Sequence, residues 1–321
     1  MAMILCRCDH DQDVLVEYNG SLIHSATEPQ EAVVEDNQFV DFSSPDIQTK
    51  KTLETPNDPS RREVLTPGQI ATLQQLTPEP LSCQAFNYLS MHKLLQQWLH
   101  QGITTLFDYQ TPATCAVFWR NFLEMFTTLG PRMVVAGEPI VLTSALLKNE
   151  PASQELLDEM IATIRKRAEQ GVDVIVLTNQ VSGDIPPNVL CELQQEIIRQ
   201  GVRFVANTAW PAECPADGIL KENVAEMTNR QAKTFSKSDL QIQVQKSYAL
   251  ATILGLQQVL GKIAMGYRAD LLLYEKSQHS DIYQLQQSWL AGEPTSEASA
   301  YYHYFWFIGV GMMTFWQWLL N

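Results

Sequence analysis

The chain has 321 residues and a formal net charge of −14, from 36 acidic and 22 basic side chains. Hydrophobic residues make up 45% and charged residues 18%, which is compatible with a large core and excludes global disorder. An acidic chain without a Lys/Arg cluster repels a phosphate backbone, so nucleic-acid binding is excluded as a main function.

The amino-terminal stretch CRCDHD brings Cys6, Cys8 and His10 together. A metal site is one interpretation. The favoured one is a terminal strand in which cysteine acts as a small apolar residue, because no second pair with zinc spacing follows. Six cysteines are too few for a disulfide scaffold, and the start MAMILCRC lacks the layout of a secretory signal. We therefore expect a reducing, cytosolic setting for the main body.

From residue 64 onward, short apolar runs alternate with amphipathic helical patterns. Strands are predicted over 64–73, 103–109, 132–143, 172–178 and 202–208. Helices are predicted over 83–101, 114–129, 153–170 and 186–200, each followed by a glycine at its end. This alternation indicates right-handed βα units and a parallel sheet, open or barrel-like.

The pattern weakens beyond residue 208. Residues 209–238 are polar and show no convincing strand, a helix is predicted over 243–259, and two short strands flank Gly266. Short strands separated by turn residues are also predicted over 13–18, 21–26 and 37–42. We therefore expect the two chain ends to share a small β-domain beside the βα units.

Four segments, in their order along the chain, resemble the metal-dependent amidohydrolase superfamily, in particular its imidazolonepropionase-like and prolidase-like members. LTPGQIATLQQL, QGITTLFDY and LGPRMVVAGEPI look like the first three barrel strands of that family. LGLQQVLGKIAMGYRADLLLYE looks like the end of its β-sandwich, with Gly261, Gly266, Ala269 and Asp270 at the matching positions.

The resemblance implies an α/β fold: an incomplete or distorted TIM-like (β/α) barrel, a small β-sandwich from both chain ends, and a C-terminal hydrophobic helix. The predicted boundaries are residues 1–63 with 258–291 for the sandwich, 64–257 for the partial barrel, 292–300 for a linker and 301–321 for the tail.

Members of this family hold one or two divalent metals, which lower the pKa of a bound water. The resemblance places the His-x-His of the first strand on Leu73, Gln74 and Gln75, the lysine of the fourth strand on Val176, and the histidine of the fifth strand on Asn207. A hydrocarbon offers no donor atom and a neutral amide is a weak zinc ligand. We therefore predict a degenerate, truncated family member without catalytic residues, metal or cofactor.

Polar residues near the predicted strand ends define a second hypothesis. Gln75, Asp108, Asn179 and Asn207 would line a vestigial, neutral hydrogen-bonding pocket. For Asp108 the favoured alternative is an N-cap of the next helix. None of the six histidines falls at the carboxyl end of a predicted barrel strand, where barrel sites lie.

Five βα units cannot close an eight-stranded barrel, so a strand edge would remain unpaired. We expect residues 209–238 or another chain to cover that edge. A missed strand in this segment is the alternative.

The tail, residues 301–321, follows a polar linker, and no charged side chain occurs after Glu297. A membrane-spanning helix needs about 20 apolar residues with aromatic residues near both interfaces. The rival interpretation is a core or amphipathic helix that fills the open barrel. Expected contacts with membrane or partner are Tyr304, Trp306, Phe307, Phe315, Trp316 and Trp318.

The main functional hypothesis is an inactive amidohydrolase-like protein, anchored by its tail on the cytoplasmic side of a membrane. It would act as a scaffold or accessory subunit of a membrane protein complex, or as a homo-oligomer. Two alternatives stay open: a metal-dependent hydrolase of C–N bonds in cyclic amides or dipeptides with rearranged ligands, and a soluble protein that binds a ligand in an amide-lined cleft.

Overall fold

The structure is a computed structural model, and the residues that it describes form the following set. They are 16–18, 33–35, 38–41, 51–52, 63–73, 80–83, 88–125, 129–143, 151–179, 185–207, 210–220, 234–263, 267–277, 280–291 and 293–295.

Parallel strands form the centre of the fold, in two hydrogen-bonded sheets. The first contains β6 (Gln69–Thr72), β7 (Ile103–Asp108) and β8 (Arg132–Val135), in that order. The second contains β9 (Ile140–Leu142), β10 (Val174–Asn179), β11 (Arg203–Ala206) and β12 (Gly218–Ile219), and its order is β12-β11-β10-β9.

The chain passes from the first sheet to the second between β8 and β9, where Gly137 has φ +71°. Glycine adopts this left-handed conformation without the steric cost that a Cβ atom brings. The amide of Asp173, just before β10, donates to the carbonyl of Val135 at 2.8 Å, which joins the two sheets. The fold is therefore mixed α/β, and its described parallel strands form two sheets rather than a closed ring of eight.

Four helices cover one face of these sheets, called the outer face here. They are α1 (Tyr88–His100), α2 (Ala113–Met125), α3 (Pro151–Glu169) and α4 (Pro187–Arg199). On β10, Ile175 and Leu177 point into a core with α3 and α4, where Ile164 and Leu193 are fully buried. Alternation then sends Val174 and Val176 to the opposite face, called the inner face.

The fifth helix, α5 (Lys237–Ile253), covers the inner face. It packs against both β6 and β12, the outermost strands of the two parallel sheets. The Ser247 hydroxyl accepts from the backbone amide of Ile70 on β6 at 3.1 Å. At the other sheet, Arg203 Nε donates to the carbonyl of Ile253 at 2.8 Å. Helix α5, most of which follows the 209–238 segment, thus packs against the outermost strand of each sheet, and β12 within that segment pairs with β11, as the missed-strand alternative foresaw.

The segment 209–238 contains strands that the sequence did not reveal. These are β12 (Gly218–Ile219) and β13 (Thr234–Ser236). Two- and three-residue strands are too short to show an alternating pattern. Helix α5 also begins before the predicted residue 243, at Lys237, because Ser236 and Asp239 form a reciprocal capping box.

An antiparallel sheet lies beside the parallel ones and pairs strands from both chain ends. Besides β13 it contains β1 (Val16–Tyr18), β5 (Glu63–Pro67), β14 (Leu271–Lys276), β15 (Ile282–Leu290) and β16 (Glu293–Pro294). Its order is β1-β5-β14-β15-β13, with β16 on β15. Three further short strands, β2 (Val33–Glu35), β3 (Gln38–Asp41) and β4 (Lys51–Thr52), form a separate sheet. The domain boundaries themselves stay a prediction.

An ion pair connects the two kinds of sheet. Arg132 Nη2 at the start of β8 lies 3.2 Å from Asp270 Oδ1, just before β14. The same carboxylate accepts from the amide of Ala291 at 2.8 Å. Ala291 has φ +55°, an uncommon conformation for a residue with a side chain, and Asp270 holds it there.

Among the residues described, no helix has the length and apolar character needed to cross a bilayer. The predicted tail helix, residues 301–321 with Tyr304, Trp306, Phe307, Phe315, Trp316 and Trp318, lies outside the described residues. The anchoring prediction therefore stays a prediction.

Candidate functional site

The carboxyl ends of the parallel strands lie side by side, the position where α/β barrel folds place their sites. Thr72 ends β6, Asp108 ends β7 and Asn207 follows β11. Backbone hydrogen bonds continue past the strands: the Ala136 amide donates to Asp108 O at 2.8 Å, and the Asn207 amide donates to Leu177 O at 2.9 Å. These residues are therefore parts of one edge.

Thr72 and Tyr109 form a polar pair on the inner face at this edge. Both side chains are buried, and the Thr72 hydroxyl is close enough to the Tyr109 phenol to affect its pKa. Burial raises the pKa of the Tyr109 phenol, and the nearby Thr72 hydroxyl opposes part of that rise. The phenol therefore stays protonated at neutral pH and keeps its O–H as a donor.

Asp108 has a side chain with 0% exposure. Its Oδ1 accepts from the amides of Gln110 and Thr111, both at 3.0 Å, in the turn that leads into α2. Its Oδ2 is buried and has no hydrogen-bond partner among the described residues. Burial raises the pKa of this carboxyl, against the hydrogen bonds from Thr111 and Gln110, which lower it. Asp108 thus stabilises the turn through Oδ1, while no described residue gives its Oδ2 a hydrogen bond that offsets the cost of burial.

The positions aligned with family ligands fall on different faces. Val176 lies on the inner face, in the apolar cluster with Ile70, Phe107 and Val205. Leu73 lies on the outer face, packed with Leu95 and Trp98 of α1. Strand alternation places Thr72, the residue before Leu73, on the inner face with Ile70.

The amide residues of the proposed pocket are placed only in part. Asn207 is half-buried, and alternation from Val205 puts it on the inner face. Asn179 ends β10 and pairs in register with Leu142, and its side chain is not among those described. Gln75 lies outside the described residues.

Among the described residues, apolar side chains make up most of the inner face. Leu250 and Ala251 of α5 are fully buried against the strand residues of this face. Leu254 and Leu260, which follow α5, complete the cluster. Within the described ranges, no three side chains of the His, Cys, Asp and Glu types lie close enough together to hold a metal ion.

The metal typical of the family does not fit the described residues. Val176 offers hydrocarbon, and Thr72 and Tyr109 offer neutral hydroxyls where a divalent ion requires imidazole, carboxylate or carbamate. Cys6, Cys8 and His10, the other metal hypothesis, lie outside the described residues. No catalytic step can therefore be assigned to a metal on these side chains.

A buried polar cluster at the amino ends of the strands was not predicted. The Gln69 amide nitrogen donates to Gln243 Oε1 and to Tyr274 Oη, each at 2.9 Å. These three residues belong to β6, α5 and β14, so the cluster joins both kinds of sheet through the helix. The only sequence signal is the spacing of Gln243 and Ser247, which face β6 together from one side of α5.

Two disulfide bonds lie next to the carboxyl edge. Cys83, between β6 and α1, is bonded to Cys115 of α2, and Cys191 of α4 is bonded to Cys214, between β11 and β12. Their Cα–Cα distances are 5.6 Å and 5.3 Å, within the range for this bond. Both fasten a segment that follows a parallel strand to an outer helix.

Comparison with solved structures gives the class of fold: the structural neighbours are members of the amidohydrolase superfamily at low sequence identity. No protein-family model and no curated protein sequence matches the chain.

One neighbour is a Bifidobacterium longum protein assigned as a prolidase, with TM-score 0.53 and 14% identity over 83% of this chain and 89% of the other. Molinate hydrolase matches with TM-score 0.52 and 15% identity, over 89% of this chain and 95% of its own. Phenylurea hydrolase B matches with TM-score 0.51 and 12% identity, over 89% and 98%. At these identities the likeness concerns the fold alone.

Proposed function

We propose that the protein is a hydrolase of C–N bonds in small, uncharged amides, with ligands arranged differently from those usual in the amidohydrolase superfamily. The observation that carries this proposal is the match of its fold to hydrolases over most of both chains. Those neighbours are named as a prolidase, molinate hydrolase and phenylurea hydrolase B. A peptide bond and a urea share a carbonyl carbon bonded to nitrogen, which sets the proposed substrate class.

The groups at the carboxyl edge suit a neutral substrate. The Tyr109 phenol remains protonated and can donate to a substrate carbonyl, and Asn207 offers a neutral amide. Asp108, whose carboxyl has a raised pKa, ends β7, and strand alternation directs its side chain to the face opposite Tyr109. A buried edge with few charges favours uncharged amides over ionised ones, because each extra buried charge needs compensation.

The opposite candidate is the inactive scaffold or accessory subunit. It is favoured by the helix α5 and the apolar cluster around Val176, which occupy the inner face. A filled face stabilises the protein and leaves little room for a water-activating metal. This candidate requires that the fold was retained for binding rather than for chemistry.

Metal analysis and hydrolysis assays on the purified full chain separate the two. The hydrolase proposal expects about one bound divalent ion per chain and hydrolysis of a cyclic amide or a phenylurea that stops on chelation and returns when metal is restored. Absence of bound metal, together with no hydrolysis after addition of zinc or manganese, would leave the scaffold candidate.

Tyr109→Phe tests the assigned edge in the active case. It removes one hydroxyl with little change in volume, and we expect kcat/KM to fall by about tenfold or more. Tyr283→Phe is the matched control, because Tyr283 is a buried tyrosine in the antiparallel sheet. Equal losses in both variants would place the active site elsewhere.

The tail supports a location at a membrane as part of the same proposal. Residues 301–321 are rich in aromatic side chains and carry no acidic or basic residue apart from His303. Full-length and tail-deleted chains, compared by membrane fractionation and native gels, test this location. Co-migration of only the full-length chain with a large membrane complex would support it, and identical soluble behaviour of both would remove it.

A further inference from the structure

We propose that the Cys83–Cys115 bond is a thiol–disulfide exchange site, opened by a dithiol reductant, that controls how the segment after β6 is attached to α2. The second bond, Cys191–Cys214, serves as a permanent link. The proposal is independent of hydrolytic activity and rests on differences between the two bonds in exposure, surroundings and neighbouring contacts.

The two bonds differ in access. Cys83 is exposed, whereas its partner Cys115 has 7% exposure. Cys191 is only half-buried on α4, and Cys214 has 5% exposure. Exchange requires a thiolate to approach one sulfur in line with the S–S bond, so the exposed Cys83 sulfur is the better target.

The two bonds also differ in how well the surroundings stabilise the thiolate that reduction releases. Cys115 lies in the first turn of α2, where the helix dipole stabilises a negative charge. Attack at the Cys83 sulfur therefore releases Cys115, whose thiolate is the better leaving group. Cys214 lies in a loop, and Cys191 lies beyond the first turn of α4.

Reduction proceeds in two steps. The thiolate of the dithiol forms a bond to Cys83 Sγ, the Cys83–Cys115 bond breaks, and Cys115 leaves as a thiolate that takes up a proton. The second thiol of the reductant, after losing its proton, then attacks the mixed disulfide and releases Cys83 as a thiolate, which is also protonated. Two electrons pass to the cysteine pair, and the dithiol becomes a disulfide.

Residues 80–83, the described part of the segment after β6, also contact α2 and the turn before it, and Leu81 packs in one core cluster with Cys115 and Trp119. The Leu81 amide donates to Thr111 Oγ1 at 2.9 Å, and Trp119 Nε1 donates to the Ser82 carbonyl at 3.1 Å. Thr111 in turn hydrogen-bonds Asp108. Opening of the disulfide therefore loosens a chain of contacts that reaches the buried carboxylate at the carboxyl edge.

The segment around Cys214 has several contacts of its own besides the disulfide. Trp210 packs edge-on against Phe204 with ring centroids 4.7 Å apart. Asp217 Oδ2 accepts from the Phe204 amide at 2.8 Å, and the Pro215 carbonyl accepts from Gln194 Nε2 at 2.7 Å. These contacts hold the loop to β11 and α4 without the disulfide, so we expect the loop to change little on reduction.

Graded reduction of the native full chain with dithiothreitol, followed by alkylation and peptide mass mapping, tests the proposal. We expect Cys83 and Cys115 to be alkylated at a dithiol concentration about tenfold lower than that needed for Cys191 and Cys214. Helical circular dichroism should stay unchanged at that point, while Trp119 fluorescence shifts and the Leu81 amide exchanges faster. Reoxidation by oxidised glutathione should restore both signals.

Simultaneous reduction of the two bonds would overturn the proposal, and so would loss of helical signal when Cys83–Cys115 opens. Variants give an independent test that does not use a reductant. Cys83→Ser should reproduce the fluorescence and exchange changes of the reduced protein, and Cys191→Ser should not. A Cys83→Ser chain that matches the oxidised wild type in both signals would also overturn it.

Discussion

Buried polar groups are treated differently at the two ends of the parallel strands. At the amino ends, Gln69 donates to both Gln243 and Tyr274, and Asp270 accepts from both Arg132 and Ala291. Arg132 Nε is buried there without a partner among the described residues. At the carboxyl ends, Asp108 Oδ2 and Gln110 Oε1 are buried without a partner among the described residues. The hydrogen-bonded cluster at the amino ends favours stability. The buried oxygens of Asp108 and Gln110 are costly, and such a cost is expected where an edge serves a purpose other than stability.

Helix α5 packs against both parallel sheets, so its core residues should give the largest effect on stability. Leu250→Ala removes a fully buried side chain from the inner face, and we expect a loss of about 2–5 kcal/mol in the free energy of unfolding. Urea denaturation followed by circular dichroism measures it. Ile242→Ala on the same helix is the control, because Ile242 is 45% exposed. Similar losses in both variants would mean that α5 does not seal the inner face.

The amino-end cluster should be next in size. Gln69→Leu removes a donor to two groups and leaves Gln243 Oε1 and Tyr274 Oη without that partner. We expect a loss of about 1–3 kcal/mol, because the cost of an unsatisfied buried polar group is carried by the residues that remain. Gln97→Leu, at an exposed position on α1, should change the free energy of unfolding little. A neutral result for Gln69→Leu would show that water replaces the lost donor.

The outer face of the parallel sheets was predictable from the sequence, and the inner face was not. Leu157, Met160 and Ile164 recur at helical spacing, so one face of α3 is apolar. That apolar face is the one expected to pack against the sheet. Helix α5 buries Gln243 and Ser247 as well as Leu250, because it contacts strand backbone and side chains of two sheets. Such a helix has no clean apolar stripe, and its role is visible only in three dimensions.

The candidate site was predictable only in outline. The carboxyl edge follows from the βα alternation, and Asp108 was singled out at the end of its strand. The register at Leu73 was not fixed by sequence, because a shift of one residue moves a side chain to the other face of a strand. The pairing of Cys83 with Cys115 could not be predicted from the sequence either, since disulfide connectivity depends on which loops the fold brings together.

Removing the capping box at the start of α5 tests whether local hydrogen bonds determine where this helix begins. Ser236→Ala removes the oxygen that accepts from the Asp239 amide, and we expect a loss of about 1 kcal/mol. Thermal and urea unfolding both measure this change. Ser280→Ala is the control, an exposed serine in the turn between β14 and β15. If Ser236→Ala costs no more than Ser280→Ala, tertiary packing alone fixes where α5 begins.

The smallest effect, and the one most specific to the carboxyl edge, is expected from Asp108. Its pKa is raised in the folded protein, chiefly because burial disfavours the charge. Its contribution to stability is therefore fully present below the unfolded pKa and is lost as pH rises through the folded pKa. Asp108→Asn keeps an oxygen for the Gln110 and Thr111 amides and cannot ionise.

We expect the Asp108→Asn variant to equal the wild type at low pH and to become more stable than it as pH rises towards neutrality. The gain should be on the order of 1 kcal/mol, within the range of ordinary substitutions. Unfolding free energies measured across that pH range check the sign, and Asp158→Asn on the exposed side of α3 should show no such gain. A variant less stable than wild type at neutral pH would mean that the ionised carboxylate has a favourable partner, and the contrast between the two strand ends would disappear.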